Sequence, residues 1–199
     1  MSAIRIEALT GARLKSHLPD VARLRIEVFR AFPYLYDGDL DYEARYIQAF
    51  AASANALVVG AFDGDEIVGA STAAPLATQM DEVTAPFRSR SEDLSRWFYF
   101  GESVLRERYR GHGVGARFFE EREVHALRSG AAEVAFCAVA RAGDHPLRPQ
   151  DYQPLDGFWR KRGYAPVPGL TCSIAWKEIG AREETAKPMQ FWTKRLSRS

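Results

Sequence analysis

Arg110-Gly111-His112-Gly113-Val114-Gly115-Ala116 separates two runs of different character. Before it, Trp97 to Leu105 is a nearly continuous aromatic and apolar stretch, which suits a central strand covered on both faces. After it, Val114, Phe118, Phe119, Ala126 and Leu127 recur on one arc of a helix, with Arg117, Glu120, Glu121 and Arg128 opposite. A glycine-rich turn at a strand-to-helix junction aims backbone N–H groups at an anion, and Arg110 adds a full positive charge. Residues Arg110, Gly111, His112, Gly113, Val114, Gly115 and Ala116 are therefore expected to hold a phosphate-bearing cofactor. Formally, Gly111, Gly113 and Ala116 also fit the dinucleotide pattern G-x-G-x-x-G/A. Its surroundings fit less well, because that motif normally opens its domain and is followed by an acid at the end of the next strand. Here the turn lies mid-chain and the next strand-like run, Val134 to Val139, is followed by Arg141.

Working outward, Ile4 to Ala8 alternates as a strand, and Pro19 and Asp20 start a helix running through Val21, Leu24 and Phe29. An aromatic and acidic loop, Phe32 to Asp39, precedes a helix around Tyr42 to Phe50. Ala56 to Phe62, the Asp63-Gly64-Asp65 turn and Glu66 to Thr72 read as a hairpin. A short helix capped near Thr84, with Pro86 in its first turn, is expected between Pro75 and Arg96. Gly130 ends the helix that follows the cofactor loop. A Pro-rich loop through Pro154, an aromatic helix, and closing strands Thr171 to Trp176 and Gln190 to Leu196 complete the chain. No internal repeat or low-complexity tract is present. The element order is that of an α/β or α+β protein with helices covering a mixed sheet.

A chain of 199 residues with near-balanced charge, +1 overall, is expected to form one domain spanning 1–199. Such a balance provides no bulk attraction to nucleic acid or membrane, and Lys194 to Arg198 reads as a short basic, solvated tail. The two cysteines, Cys137 and Cys172, each lie inside an apolar run, so buried thiols in a reducing compartment are expected. With no signal-peptide core and no apolar run of membrane-spanning length, the expected location is cytoplasmic. The histidines His112 and His125 lack ligand spacing, and no metal site is expected.

The loop resembles the pyrophosphate-binding motif of the GNAT superfamily of acyl-CoA N-acyltransferases, Gln/Arg-x-x-Gly-x-Gly/Ala, filled here by Arg110, Gly113 and Gly115. Ser103 to Gly111 looks like the end of that family's fourth strand and the entry to its CoA loop. A second segment, Phe158-Trp159-Arg160-Lys161-Arg162-Gly163-Tyr164, resembles the family's aromatic-x-x-x-Gly-aromatic motif. The resemblance spans about Ile4 to Lys177 and implies the GNAT fold, a mixed central sheet flanked by helices. It also implies acetyl-CoA as co-substrate and direct transfer of the acetyl group to an amine of a small molecule or peptide. Backbone N–H at Val104 or Leu105 is the implied place for the thioester carbonyl. Two readings from other classes stay open: a non-catalytic acyl-CoA-binding or regulatory module, and a nucleotide-dependent oxidoreductase.

Amine acylation needs a base for the ammonium proton, N–H groups for the developing oxyanion and, optionally, an acid for the leaving thiolate. Glu102 is the acid nearest the loop inside an otherwise apolar strand, where desolvation in general makes a carboxylate a better proton acceptor; it is the candidate base. Trp159 occupies the position where many members of the family have a tyrosine thought to act as the acid, and indole cannot take that role. Tyr164, Tyr152 or water is left to protonate the thiolate. Asp37, Asp39, Asp41 and Glu43, interleaved with Tyr34, Tyr36 and Tyr42, resemble the family's acceptor-side lip, where acids and aromatics attract a cationic amine. Asp144 and His145 form a second candidate acceptor edge. The sequence does not indicate the oligomeric state.

Overall fold

A computed structural model describes residues 4–197, which contain seven strands and five α-helices. The strands are β1 (Arg5–Leu9), β2 (Leu57–Asp63), β3 (Glu66–Pro75), β4 (Trp97–Leu105), β5 (Glu133–Val139), β6 (Ala165–Lys177) and β7 (Glu184–Arg195). They form one mixed sheet in the order β1-β2-β3-β4-β5-β7-β6, antiparallel everywhere except between β4 and β5. The helices are α1 (Gly11–Phe29), α2 (Leu40–Ala52), α3 (Asp81–Arg88), α4 (Val114–Arg128) and α5 (Asp156–Arg160).

Alternation along the strands sorts side chains onto two faces. Phe98, Phe100, Val134 and Phe136 point toward α4 and α5, where they meet Phe118, Phe119 and Trp159. On the other face, Val58, Phe62, Ala70 and Val104 pack on Val21 and Leu24 of α1 and Ile47 and Phe50 of α2. Farther along that face, Trp97, Tyr99, Ala135 and Cys137 pack on Val83 and Phe87 of α3. Both faces of β4 are thus covered, as its unbroken aromatic run implies.

Three expectations are corrected. The first helix starts at Gly11 and runs through Pro19, because Leu14, Leu18, Val21, Leu24 and Val28 form one apolar stripe across it. Burial of that stripe outweighs the hydrogen bond lost at proline. In the short helix, Met80 is the N-cap, Thr84 lies inside and buried, and Pro86 falls near the end. The basic tail is also shorter than expected. Lys194 and Arg195 close β7, with Lys194 paired to Glu123 at 2.7 Å, and Arg198 lies outside the described residues.

Candidate active site

The site is organised by an irregularity in β4. Its register against β3 shifts between Ser71/Ser103 and Ala73/Phe100, so Thr72 faces both Gly101 and Glu102. This β-bulge inverts the alternation. Phe98 and Phe100 face α4, yet Glu102 and Val104 both face α1 and α2. Without the extra residue, Glu102 would share the α4-facing side with Phe100. Gly101 is required there because a Cβ would stand 2.5 Å from the Thr72 hydroxyl oxygen. That oxygen accepts the Glu102 N–H at 3.1 Å. From the α4 side, Arg122 reaches the carbonyls of Thr72 and Glu102 with Nη1 at 3.4 and 3.5 Å, while its planar group lies over Phe100 and Phe119. Burial outweighs the attraction of Tyr164, Glu102 and Glu123 and pushes this guanidinium down to about 10.

Glu102 is 6% exposed and does not stand alone. Its Oε2 lies 2.7 Å from Nη1 of Arg25 and accepts from the Tyr46 hydroxyl at 3.4 Å. Arg25 also donates through Nε to Glu43, whose carboxylate is 1% exposed. The guanidinium sits 4.5 Å from the Tyr46 ring centre and 5.2 Å from that of Phe29. Burial alone would lower Arg25, but the negative charges of Glu102 and Glu43 outweigh it and hold the guanidinium above its ordinary range. Burial and the Glu102 charge push the Tyr46 phenol upward. Among the described residues, Oε1 of Glu102 and Oε1 of Glu43 are buried without hydrogen-bond partners.

Beside the bulge the sheet opens. The parallel pairing of β4 with β5 spans only Trp97–Tyr99 against Glu133–Ala135; beyond it β4 continues along β3 and β5 along β7. The Arg106 N–H donates to Val68 at 3.0 Å, so alternation turns the Val104 N–H toward β3 as well. The N–H groups of Ser103 and Leu105 then face the gap. Of the two amides expected to meet the thioester, Leu105 keeps that orientation, whereas Val104 is spent in the sheet and its side chain in the α1/α2 core.

At the end of β4, a short turn leads into the glycine loop. Gly111 and Gly113 adopt φ of 82° and 80°, conformations that disfavour any side chain, and Gly113 is the N-cap of α4. The first-turn N–H groups of Val114, Gly115 and Ala116 have no partner within the helix. No acid lies in that turn, and Arg110 and His112 are exposed beside it. Val114 anchors the helix start in the core. Such a cradle of N–H groups next to an arginine fits a pyrophosphate. A Cβ at Gly115 would stand 3.2 Å from Phe158, so α5 closes over the helix start. Trp159, in the same helix, packs edge-on against Phe136 and Trp192, each 5.0 Å away. Tyr164 donates to Glu123 at 2.8 Å, and burial with that neighbour pushes its phenol up.

The expected acceptor residues divide by role. Tyr34 and Tyr36 lie in a loop tied to the β6–β7 connection through Tyr36↔Glu178 and an Asp37 N–H bond to Lys177. Arg141 locks this loop by donating to the Pro33 carbonyl at 2.7 Å and the Tyr34 carbonyl at 3.2 Å while pairing with Glu178. Asp37 pairs with Lys177 at 2.8 Å, and Asp39 caps α2 by accepting from Tyr42 N–H at 2.7 Å. The His145 ring lies tilted 5.6 Å from that of Phe32, which also meets Tyr152 edge-on at 4.7 Å; Asp144 is exposed. Glu43, expected on the acceptor-side lip, is instead buried against Arg25, because the packing of α1 on α2 turns it inward; sequence reasoning missed Arg25, Thr72, Gly101, Arg122 and the Ser103 amide. Arg25 carried a signal, being a charge within the apolar arc of Val21, Leu24 and Val28.

No protein-family model matches this sequence, and no curated protein matches it. Solved structures do match by shape. A ribosomal-protein-alanine N-acetyltransferase from Brucella melitensis superposes with a TM-score of 0.63 at 13% identity, covering 96% of this chain and 99% of its own. For an acetyltransferase of the GNAT family from Streptococcus pneumoniae the values are 0.58 and 16%, with 98% and 100% covered. The protein yncA from Salmonella typhimurium, solved with its cofactor acetyl-CoA, gives 0.62 and 10%, with 100% and 96% covered. At such identities the likeness establishes architecture alone: this chain has the GNAT fold.

Proposed function

We propose that this chain is an N-acetyltransferase that moves an acetyl group from acetyl-CoA to a primary amine by direct attack in a ternary complex. The observation that carries the reading is the continuity of one strand. β4 has an anion cradle at its end, unpaired amides along its open edge and a buried carboxylate at its bulge. Acetyl-CoA would use the first two, with its pyrophosphate in the cradle and its arm and thioester along the amides, and the amine to be acetylated would use the third.

In this reading the N–H groups of Val114, Gly115 and Ala116 with Arg110 hold the phosphates, and the Leu105 and Ser103 amides align the arm and receive the thioester oxygen. Glu102 takes the proton that the acceptor ammonium must lose, the amine nitrogen bonds to the acetyl carbon, and the C–S bond breaks. The second proton of the amine passes through water to the departing thiolate, since Trp159 is packed against the core and Tyr164 is engaged with Glu123. Tyr34, Tyr36 and Asp37, with the edge formed by His145 and Asp144, form the acceptor side. A cytoplasmic location belongs to the same proposal and is supported by two free thiols.

The test is a broad panel of amines with acetyl-CoA, followed by release of free CoA, alongside melting shifts with acetyl-CoA and with NAD. Stabilisation by acetyl-CoA alone, together with turnover of at least one amine, is the expected result. Stabilisation without any turnover would favour an acyl-CoA-binding module, the reading supported by Trp159 at the usual tyrosine position. Stabilisation by NAD alone would overturn both.

A further inference from the structure

We infer that Arg25 and Glu43 govern Glu102, Arg25 as the positioning residue that aims its carboxylate and Glu43 as the second carboxylate that competes for the same guanidinium. The inference rests on the reading of Glu102 as the base. Arg25 is 8% exposed and touches both acids, contacting Glu102 at 2.7 Å and donating to Glu43. Two carboxylates share one guanidinium in a site closed by the rings of Phe29 and Tyr46. The cluster therefore carries one negative charge in excess when both acids are ionised.

Among the described residues, no cation besides Arg25 forms an ion pair with either acid. Tyr46 faces it from α2 as a neutral hydroxyl, Tyr34 lies in the adjoining loop, and the Thr72 hydroxyl from β3 is engaged with the Glu102 N–H. Arg122 comes from α4 on the opposite face, where it donates to the Glu102 carbonyl and is attracted by the Glu102 charge across the sheet, a background common to every variant below. In general a cation beside a carboxylate favours its charged form and a second carboxylate in the same site opposes it, so one guanidinium between two acids sets two opposed influences on a single group. The arrangement also has a mechanical side. Arg25 and Glu43 belong to the two helices that flank the acceptor-side loop, so the position of the proposed base is tied to the walls around its substrate.

The two residues are thus expected to act in opposite directions, which a purely structural role would not produce. The test measures the acidic limb of kcat/KM for an accepted amine and, independently of activity, the 13C titration of the Glu102 carboxyl. Glu43→Gln should move both to lower pH, by on the order of one unit, and Arg25→Gln should move both to higher pH by a similar amount. Arg25→Lys should restore the wild-type limb with reduced kcat, since an ammonium cannot bridge both acids in the same fork. Should Arg25→Gln fail to fold, Glu43→Gln and Arg25→Lys still decide. Shifts in one direction for both acid and base variants, or no shift in a folded Glu43→Gln, would overturn the inference. If no amine is acetylated, the carboxyl titration alone decides it: opposite shifts would uphold the network while the reaction reading falls.

Discussion

Gly101 and Thr72 approach so closely across the β3–β4 pair that a methyl group on residue 101 would stand 2.5 Å from the threonine hydroxyl. Gly101→Ala must therefore displace the oxygen that accepts the Glu102 N–H. The expected cost is about 1–3 kcal/mol in denaturant unfolding, typical of overpacking at a rigid site. A fall in kcat should accompany it, with CoA affinity nearly unchanged. Wild-type stability and turnover in this variant would show that the bulge relaxes freely.

At the other end of the strand, Gly113→Val forces a side chain into a φ of 80°, and Gly115→Val drives one into Phe158. Both should weaken CoA by about tenfold or more, because several N–H contacts worth about 1 kcal/mol each are lost together. Arg110→Ala should cost about 1 kcal/mol or less, as one exposed charge acting through solvent. Calorimetric titration with CoA checks the order, and unchanged affinity in both folded glycine variants would remove the phosphate assignment.

Glu102→Gln keeps the shape of the side chain but cannot accept a proton. It should lower kcat by about 10²-fold or more while leaving CoA binding intact, and activity should recover at high pH as the acceptor arrives already neutral. A variant with wild-type kcat and an unchanged acidic limb would make the carboxylate structural and turn attention to Asp144 and His145.

Asp37 and Asp39 should separate in their effects. Asp39→Ala removes the α2 cap and should cost about 1 kcal/mol of stability, which Asp39→Asn should retain. Asp37→Asn should raise the acceptor KM and flatten its salt dependence, provided the acceptor is cationic. Preference for anionic acceptors would contradict the steering role.

The Asp37 pair also has a pH signature. The hydrogen bond from Lys177 is the main cause that holds the Asp37 carboxyl below the usual carboxylate range. A depressed acid contributes stability above its unfolded value of 3.8, and that contribution is lost as pH falls through the lower folded value. Any melting difference between wild type and Asp37→Asn should therefore persist at neutral pH and vanish in strong acid. A difference that grows on acidification would refute the pairing.

Much of the architecture could be read from local pattern. The Trp97–Leu105 strand, the hairpin around Gly64 and the helix opening at Val114 all carry their own turn or periodicity signals. The β4 bulge carries none, because register is a relation between strands: nothing near Glu102 in sequence announces Thr72 as its partner. The pairing of Glu43 with Arg25 was hidden for a related reason. Beside Asp39 and Asp41 it reads as part of a solvated helix start, and only the packing of α1 on α2 brings Arg25 to it. Leu105 and Val104 were indistinguishable until the Arg106 bond to Val68 fixed which amides point away from β3.

The short pairing of β4 with β5 gives the molecule a seam. A four-strand panel, β1 to β4, and a three-strand panel, β5 with β7 and β6, are joined edge to edge only through Trp97–Tyr99 and Glu133–Ala135. A ligand lying in the opening beyond them would act as a rivet between the panels. Amide hydrogen exchange should then slow on both margins at once, at Ser103 and Leu105 and along Phe136–Val139, when acetyl-CoA is added. Protection confined to the glycine loop would mean that the nucleotide end binds while the panels stay free to part.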